Sequence, residues 1–244
     1  MKSVLTATGI SRAYGGRTVL QPLSLQVHEG EVVGLLGPNG AGKSTAMGMI
    51  AGHVIPDAGT VSIDEHCLDG WPLWRRVRSG LGFLAQEPAV LRDLSVWDNL
   101  MIAADTHSKP NSVVQEHLER MGLKTLSGAR AGTLSGGERR RLEIARCLVG
   151  EPRFILMDEP FAGVDPLGIE QLQDTIRALS NQGIGLLITD HAVQATLGVC
   201  DRVLILDAGE VMLAGCPEEI VKNREVRDRY LGSRFILEND DVGG

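Results

Sequence analysis

The chain has 244 residues, with 24 Lys plus Arg against 31 Asp plus Glu and a formal net charge of −7. That length suits one large domain with a sizeable core that needs no disulfides, and the acidic balance argues against a nucleic-acid surface, which requires a basic stripe. No apolar run approaches the roughly 20 residues that cross a bilayer, and the first residues lack the apolar core of a signal peptide, so a cytosolic location without membrane insertion is expected.

The first predicted elements are half-buried antiparallel strands. Val4, Thr6, Thr8 and Ile10 alternate with Leu5, Ala7 and Gly9, and Leu23, Leu25 and Val27 alternate again, which is the pattern of strands with one wet face. Val32-Val33-Gly34-Leu35-Leu36 then reads as a buried strand. It runs into Gly37-Pro38-Asn39-Gly40-Ala41-Gly42-Lys43-Ser44, which fits the phosphate-loop pattern of two spaced glycines, a lysine and a hydroxyl. Glycines let successive N–H groups turn inward around a polyanion, and the positive end of the following helix favours that charge. Lys43 adds a mobile charge for the β and γ phosphates, and the Ser44 hydroxyl is placed to ligate Mg²⁺. These residues predict a nucleoside triphosphate site.

A mainly helical segment follows. Ser95 with Asp98 and Ser135 with Glu138 have the spacing of capping boxes. The polar stretch from Asp105 to Asn111, with Pro110, predicts a surface loop. Arg139, Arg140, Arg141 and Arg146 would fan around a helix surface as a solvated or ion-paired face. Leu134-Ser135-Gly136-Gly137-Glu138 opens a second helix with free N–H groups. One nucleotide needs a single such cradle, so this is either a well-capped helix or a place for a second molecule.

Strand character then returns in another form. Phe154-Ile155-Leu156-Met157, Ile184 to Ile188 and Val203 to Leu206 are continuous apolar runs, the mark of parallel strands covered on both faces. Between the first two, Ile169, Leu172, Ile176 and Leu179 recur at helical spacing within Leu167 to Ser180, and Gly183 marks the end. The first run ends in Asp158-Glu159-Pro160, at a strand's carboxyl end, where α/β folds place ligands. One acid can hold Mg²⁺ while its neighbour polarises an attacking water; solvated loop acids are the alternative. Cys67, Cys147, Cys200 and Cys216 match no zinc spacing and are expected to be reduced and mostly buried. Near the end, Ile220, Val221, Val226 and Tyr230 have helix-like spacing, and Glu238 to Gly244 are expected to fray.

With these motifs in this order, the chain resembles the ATP-binding cassette (ABC) family over essentially its whole length. Gly37 to Ser44 is similar to Walker A, Gln86 to the glutamine loop, Leu134 to Glu138 to the signature, Phe154 to Asp158 to Walker B, Ala162 to Asp165 to the D-loop and His191 to the switch histidine. The resemblance implies an α/β phosphate-loop ATPase: a mixed-sheet core (1–90 and 152–222) with an antiparallel β subdomain, an inserted helical lobe (91–151) and a C-terminal tail (223–244). It further implies that Tyr14 stacks on adenine, that Lys43 and Thr45 contact phosphate, and that Ser44, Gln86 and Asp158 serve Mg²⁺. Glu159 would be the general base and His191 a γ-phosphate contact. Ser135 and Gly137, with Gly136 and Glu138, would reach ATP bound by the opposite subunit of a homodimer.

Within the family the phrases 134–146, 158–166 and 188–191, with the ending Arg229-Tyr230-Leu231-Gly232 and Phe235, are most similar to ATPases of lipopolysaccharide export. Short cassettes of branched-chain amino acid importers are the alternative. Membrane partners would dock near Gln86 to Arg92, where exporters of that type usually carry Phe-Arg and this chain has Leu91-Arg92, with Pro88 close by. Cargo would not touch this subunit. By resemblance the tail joins the two copies; a helix packed on its own core is the other reading.

Overall fold

The computed structural model describes residues 2–232 and 235. Two sheets share the core. The antiparallel one has the order β2-β1-β4-β5, built from β1 (Val4–Tyr14), β2 (Arg17–His28), β4 (Ala58–Ile63) and β5 (His66–Cys67). The other has the order β10-β9-β3-β8-β7-β6, from β3 (Val32–Leu36), β6 (Leu81–Leu84), β7 (Phe154–Asp158), β8 (Gly185–Thr189), β9 (Arg202–Asp207) and β10 (Glu210–Gly215). All its neighbours are parallel except the hairpin β9–β10.

The apolar runs are continuous because both faces of this sheet are covered. Val33, Leu35, Leu156, Leu187 and Leu204 pack with the antiparallel sheet and with α1 (Lys43–Ala51). Their alternates, including Val32, Ile155, Met157, Ile188 and Ile205, join Leu142 and Ile144 of α5 (Gly136–Leu148) and Leu172, Ile176 and Leu179 of α6 (Pro166–Asn181). The short α2 (Leu73–Arg78), which no periodicity announces, rests on α1: the buried Arg76 guanidinium donates to Met49 O and Ile50 O at 3.0 and 2.7 Å.

Between β6 and β7 run α3 (Val96–Thr106), α4 (Asn111–Arg120) and α5. Both expected caps are present. Ser95 Oγ accepts the Asp98 N–H at 3.0 Å, and Ser135 with Glu138 forms a reciprocal box at the start of α5. After β8 come α7 (Val193–Leu197), α8 (Pro217–Lys222), α9 (Arg224–Val226) and a wider π turn over Arg227–Leu231.

Three expectations are corrected. Ile10 shares the buried face of Leu5 and Ala7 rather than that of Thr6, because the β1 register shifts between Ala7 and Ile10, where Gly9 takes φ +59°. An extra residue in a strand flips every side chain beyond it. Cys67 is exposed on the two-residue strand β5, while Cys200 is buried. Arg140 is 4% exposed rather than on the helix surface, although the ion pair expected of that face is present, with Glu143. The stretch Glu238 to Gly244, expected to fray, and most of the tail beyond Gly232 lie outside the described residues.

Candidate functional site

The candidate residues follow the carboxyl ends of four adjacent strands. In the order β3-β8-β7-β6 these ends lead into Gly37–Ser44, Asp190–His191, Asp158–Glu159 and Gln86. Sequence separation thus becomes proximity through sheet order, at the edge where parallel sheets present ligands.

The phosphate loop needs its glycines. Gly37 has φ +147°, and a Cβ there would sit 2.0 Å from Leu206 O; Gly42 has φ +101°, and its Cβ would meet Val19 O at 2.9 Å. Gly42 is the N-cap of α1 without a capping side chain, so the first N–H groups of that helix open into the loop. Lys43 crosses the loop and donates to Gly37 O at 2.7 Å and Pro38 O at 3.0 Å. Burial lowers its pKa from the usual lysine range, while Glu159 and Asp158 pull it back up. Gly40, Gly42, Lys43, Ser44, Thr45 and Asn39 line one cleft together with Val19, Glu159 and His191. Pro38 and Ala41 close the loop behind it through an Ala41 N–H to Pro38 O bond of 3.2 Å.

Glu159 is the hub. Its Oε2 accepts Gln86 Nε2 at 2.8 Å, and its Oε1 lies 2.8 Å from His191 Nε2. The backbone that aims it is strained, with φ +51° at a residue that has a Cβ, a conformation costing on the order of 1 kcal/mol and held by its surroundings. Those surroundings are visible: Glu159 N–H donates to Thr189 O at 2.7 Å, and Arg140 Nη2 donates to Glu159 O at 2.9 Å. Asp190, 2% exposed, accepts the N–H groups of Phe161 and Ala192 at 2.8 and 2.7 Å, which fastens the His191 loop to the turn after Glu159. Burial raises the Asp190 carboxyl, against the lowering effect of those bonds.

Asp158 ends β7 beside Thr189, whose hydroxyl donates to Oδ1. Burial pushes its pKa up, while the Thr189 bond and the charges of Lys43 and Arg140 pull it down. The oxygens of Asp158, Ser44 and the Gln86 amide make a hard donor set that suits Mg²⁺, an ion that completes its shell with water and substrate phosphate. No group of three or more His, Cys, Asp or Glu able to hold a metal occurs among the described residues.

Other expected residues lie elsewhere. Tyr14 is 46% exposed at the β1–β2 hairpin under the Arg12 guanidinium, and it does not line the cleft. Nor do Ser135, Gly136, Gly137 and Glu138, which sit at the start of α5 against the turn 162–165. A Cβ at Gly136 would lie 2.4 Å from Gly163 O, and one at Gly137 would meet Val164 and Gly168.

The connector between these regions went unread in the sequence. Arg140 on α5 donates to Ala85 O, Glu159 O and Pro160 O and pairs with Glu143 at 2.8 Å. Glu143 in turn accepts the Ala89 N–H at 2.6 Å. Its only advance signal is the i, i+3 spacing of opposite charges on one helix. The 86–92 segment is also held by Asn99, fully buried, whose amide bonds Leu91 N–H and Leu91 O at 2.9 and 3.0 Å. Beside it runs an apolar groove lined by Val77, Leu84, Ala89, Ile102, His107, Arg146 and Cys147. Leu91 and Ile102 are exposed there. No helix among the described residues is long and apolar enough to cross a membrane.

Comparison with known proteins shows the family. Residues 20–162 match the family model described as ABC transporter. The chain is 46% identical over 243 residues to the lipopolysaccharide export system ATP-binding protein of Acidithiobacillus ferridurans, covering 97% of this chain and all of that one. It is 44% identical to the corresponding protein of Escherichia coli K12, covering 96% of this chain and all of that one. A probable ABC transporter ATP-binding protein of Azorhizobium caulinodans is 46% identical, with 96% of this chain and 84% of that one covered. Among solved structures, an ATP-binding cassette in its ADP conformation superposes with a TM-score of 0.87 at 27% identity, covering 95% of this chain and 99% of the other.

Proposed function

Because the chain belongs to the ABC transporter family as an ATP-hydrolysing subunit, we propose that it powers extraction and export of lipopolysaccharide from the inner membrane, on whose cytoplasmic face it sits peripherally. The observation that carries this reading is end-to-end identity with relatives of that name, at 44–46% and with their full length covered.

The mechanism follows from the cleft. Gly37 to Gly42 and the first turn of α1 wrap the phosphates, and Lys43 exchanges the Gly37 and Pro38 carbonyls for phosphate oxygens. Thr45 adds a phosphate contact, and Tyr14 serves adenine. Ser44, Asp158 and Gln86 would hold Mg²⁺, which would supply charge neutralisation for the phosphates. Glu159 takes the proton of the attacking water, oriented by Gln86 and His191, which already grip its two oxygens. Ser135, Gly136, Gly137 and Glu138 do not line their own cleft; they complete that of a second copy, so two chains meet head to tail and enclose two nucleotides. Hydrolysis removes the γ phosphate gripped from both sides and releases the pair. That motion passes to membrane subunits docked at residues 86–92 and the adjoining groove, with the 223–244 tail holding the two copies together.

A second reading keeps the chemistry and changes the cargo. It is favoured by the Azorhizobium relative, as identical as any export protein above and bearing no cargo in its name, and by Leu91 where Phe is usual. Mild detergent extraction of the tagged chain separates the two. The export reading expects two single-copy membrane subunits and ATPase activity stimulated by lipopolysaccharide. A complex stimulated by a periplasmic binding protein instead overturns it.

A further inference from the structure

The C-terminal turn lies under the phosphate loop. Leu36 of β3 pairs with Ile205 of β9, and the next residue on the loop, Gly37, packs so tightly on Leu206 O that no Cβ fits. One residue further, Asp207 pairs with Arg229 at 2.5 Å, and Arg229 also bonds Glu225 at 3.1 Å. These contacts seat the 227–231 turn on the far side of the loop's first residue. Tyr230 and Leu231 pack there against the core that includes Leu36 and Ile205.

Tyr230 carries an unexplained polar atom. Its phenol oxygen is closed off from solvent and makes no hydrogen bond of good geometry, although it faces the Gly37 backbone N–H, with the Asp190 carboxylate close enough to act on it. Burial raises the phenol's pKa, so it stays neutral. A buried hydroxyl without a good partner is uncommon in a settled core. This one sits between the two loops that deliver Lys43 and His191.

We propose that Tyr230 is a positioning residue for ATP binding: its hydroxyl, carried on the turn that the Arg229–Asp207 ion pair anchors, sets the entry of the phosphate loop at Gly37. The C-terminal turn thereby tunes nucleotide affinity from a place no nucleotide reaches. The inference rests on Gly37–Thr45 being the nucleotide loop.

Tyr230→Phe keeps the ring and removes only the oxygen. The expected result is a rise of about five-fold in the Kd and KM for ATP, the equivalent of about 1 kcal/mol, with kcat within two-fold. The melting temperature should stay within about 4 °C of the parent. Arg229→Ala, which loosens the clamp and spares the phenol, should raise KM in the same direction by a smaller factor. A purely structural tyrosine would lower thermal stability and leave KM in place. An unchanged KM in Tyr230→Phe, or a fall in kcat that tracks the loss of stability, overturns the proposal. Lys43→Ala is measured alongside. If it still binds ATP normally, the reading of the loop itself fails; if it loses binding while Tyr230→Phe does not, only the role of Tyr230 does.

Discussion

The two glycine-rich helix starts of this chain are built to opposite plans. At the start of α1, Lys43 shares one cleft with Glu159 and His191, Asp158 acts on it from the end of β7, and a strained backbone at Glu159 is held by Thr189 and Arg140. The start of α5 is satisfied by its own capping box and rests on Gly163. The first region gathers groups of opposed charge around one cleft, whereas the second does not line that cleft. Such a division is what a site shared between two copies requires, and each prediction below breaks one side of it or the link between them.

The largest effect belongs to Glu159→Gln. Loss of a general base lowers turnover by roughly 10²- to 10⁴-fold, while ATP binding persists and a closed dimer accumulates. Steady-state hydrolysis together with size-exclusion chromatography in ATP checks both. Parental turnover would remove Glu159 from the mechanism.

Next comes the link. Arg140→Ala strands Glu143, 8% exposed, without its partner, a change that costs about 3–5 kcal/mol. It also frees Ala85 O, Glu159 O and Pro160 O. Denaturant melts should register that loss, and turnover should fall further than stability alone accounts for, because Glu159 loses a support of its strained geometry. Arg140→Met, which leaves the same charge unpaired, should behave alike.

The smallest effect has the opposite sign. Burial raises the Asp158 pKa above the ordinary value of about 3.9, so the folded chain holds that proton more tightly than the unfolded chain does. Its contribution to stability is therefore full at low pH and is lost as pH rises through the raised value. Asp158→Asn, which keeps the oxygen that accepts from Thr189, should melt above the parent at pH 7 while losing Mg²⁺-dependent turnover. The gap should narrow towards pH 4. A variant that melts lower at pH 7 would contradict the burial argument.

What the sequence made legible divides along physical lines. Local signals came through. The Ser95 and Ser135 caps rest on interactions within a few residues, the helix α6 on its apolar periodicity, and the strands β7, β8 and β9 on burial of both faces, which writes a continuous apolar run; Leu134 to Glu138 announced its helix by composition alone. Contacts that depend on sheet order did not. Nothing in the chain text states that β8 lies between β3 and β7, and this order is what brings His191 to Glu159 and Gln86 to its other oxygen. The reversal at Ile10 hides in one glycine, since a bulge leaves the alternation of residue types nearly intact. The expectation of a solvated or ion-paired surface for Arg140 holds for the ion pair, with Glu143, but not for the surface: periodicity counts charge as exposed, whereas a guanidinium with five donors can be buried wherever carbonyls and a carboxylate converge.

The account's central claim is that the α5 start of one copy completes the α1 start of another, and mixing two disabled variants tests it most directly. Lys43→Ala damages the phosphate loop and keeps Ser135; Ser135→Arg blocks the α5 start and keeps Lys43. Assayed separately, both should be inactive. When combined at equal concentration, mixed pairs form one intact composite site, so ATP hydrolysis should reappear. Full turnover by Ser135→Arg on its own, or a mixture as silent as its two components, would contradict the claim.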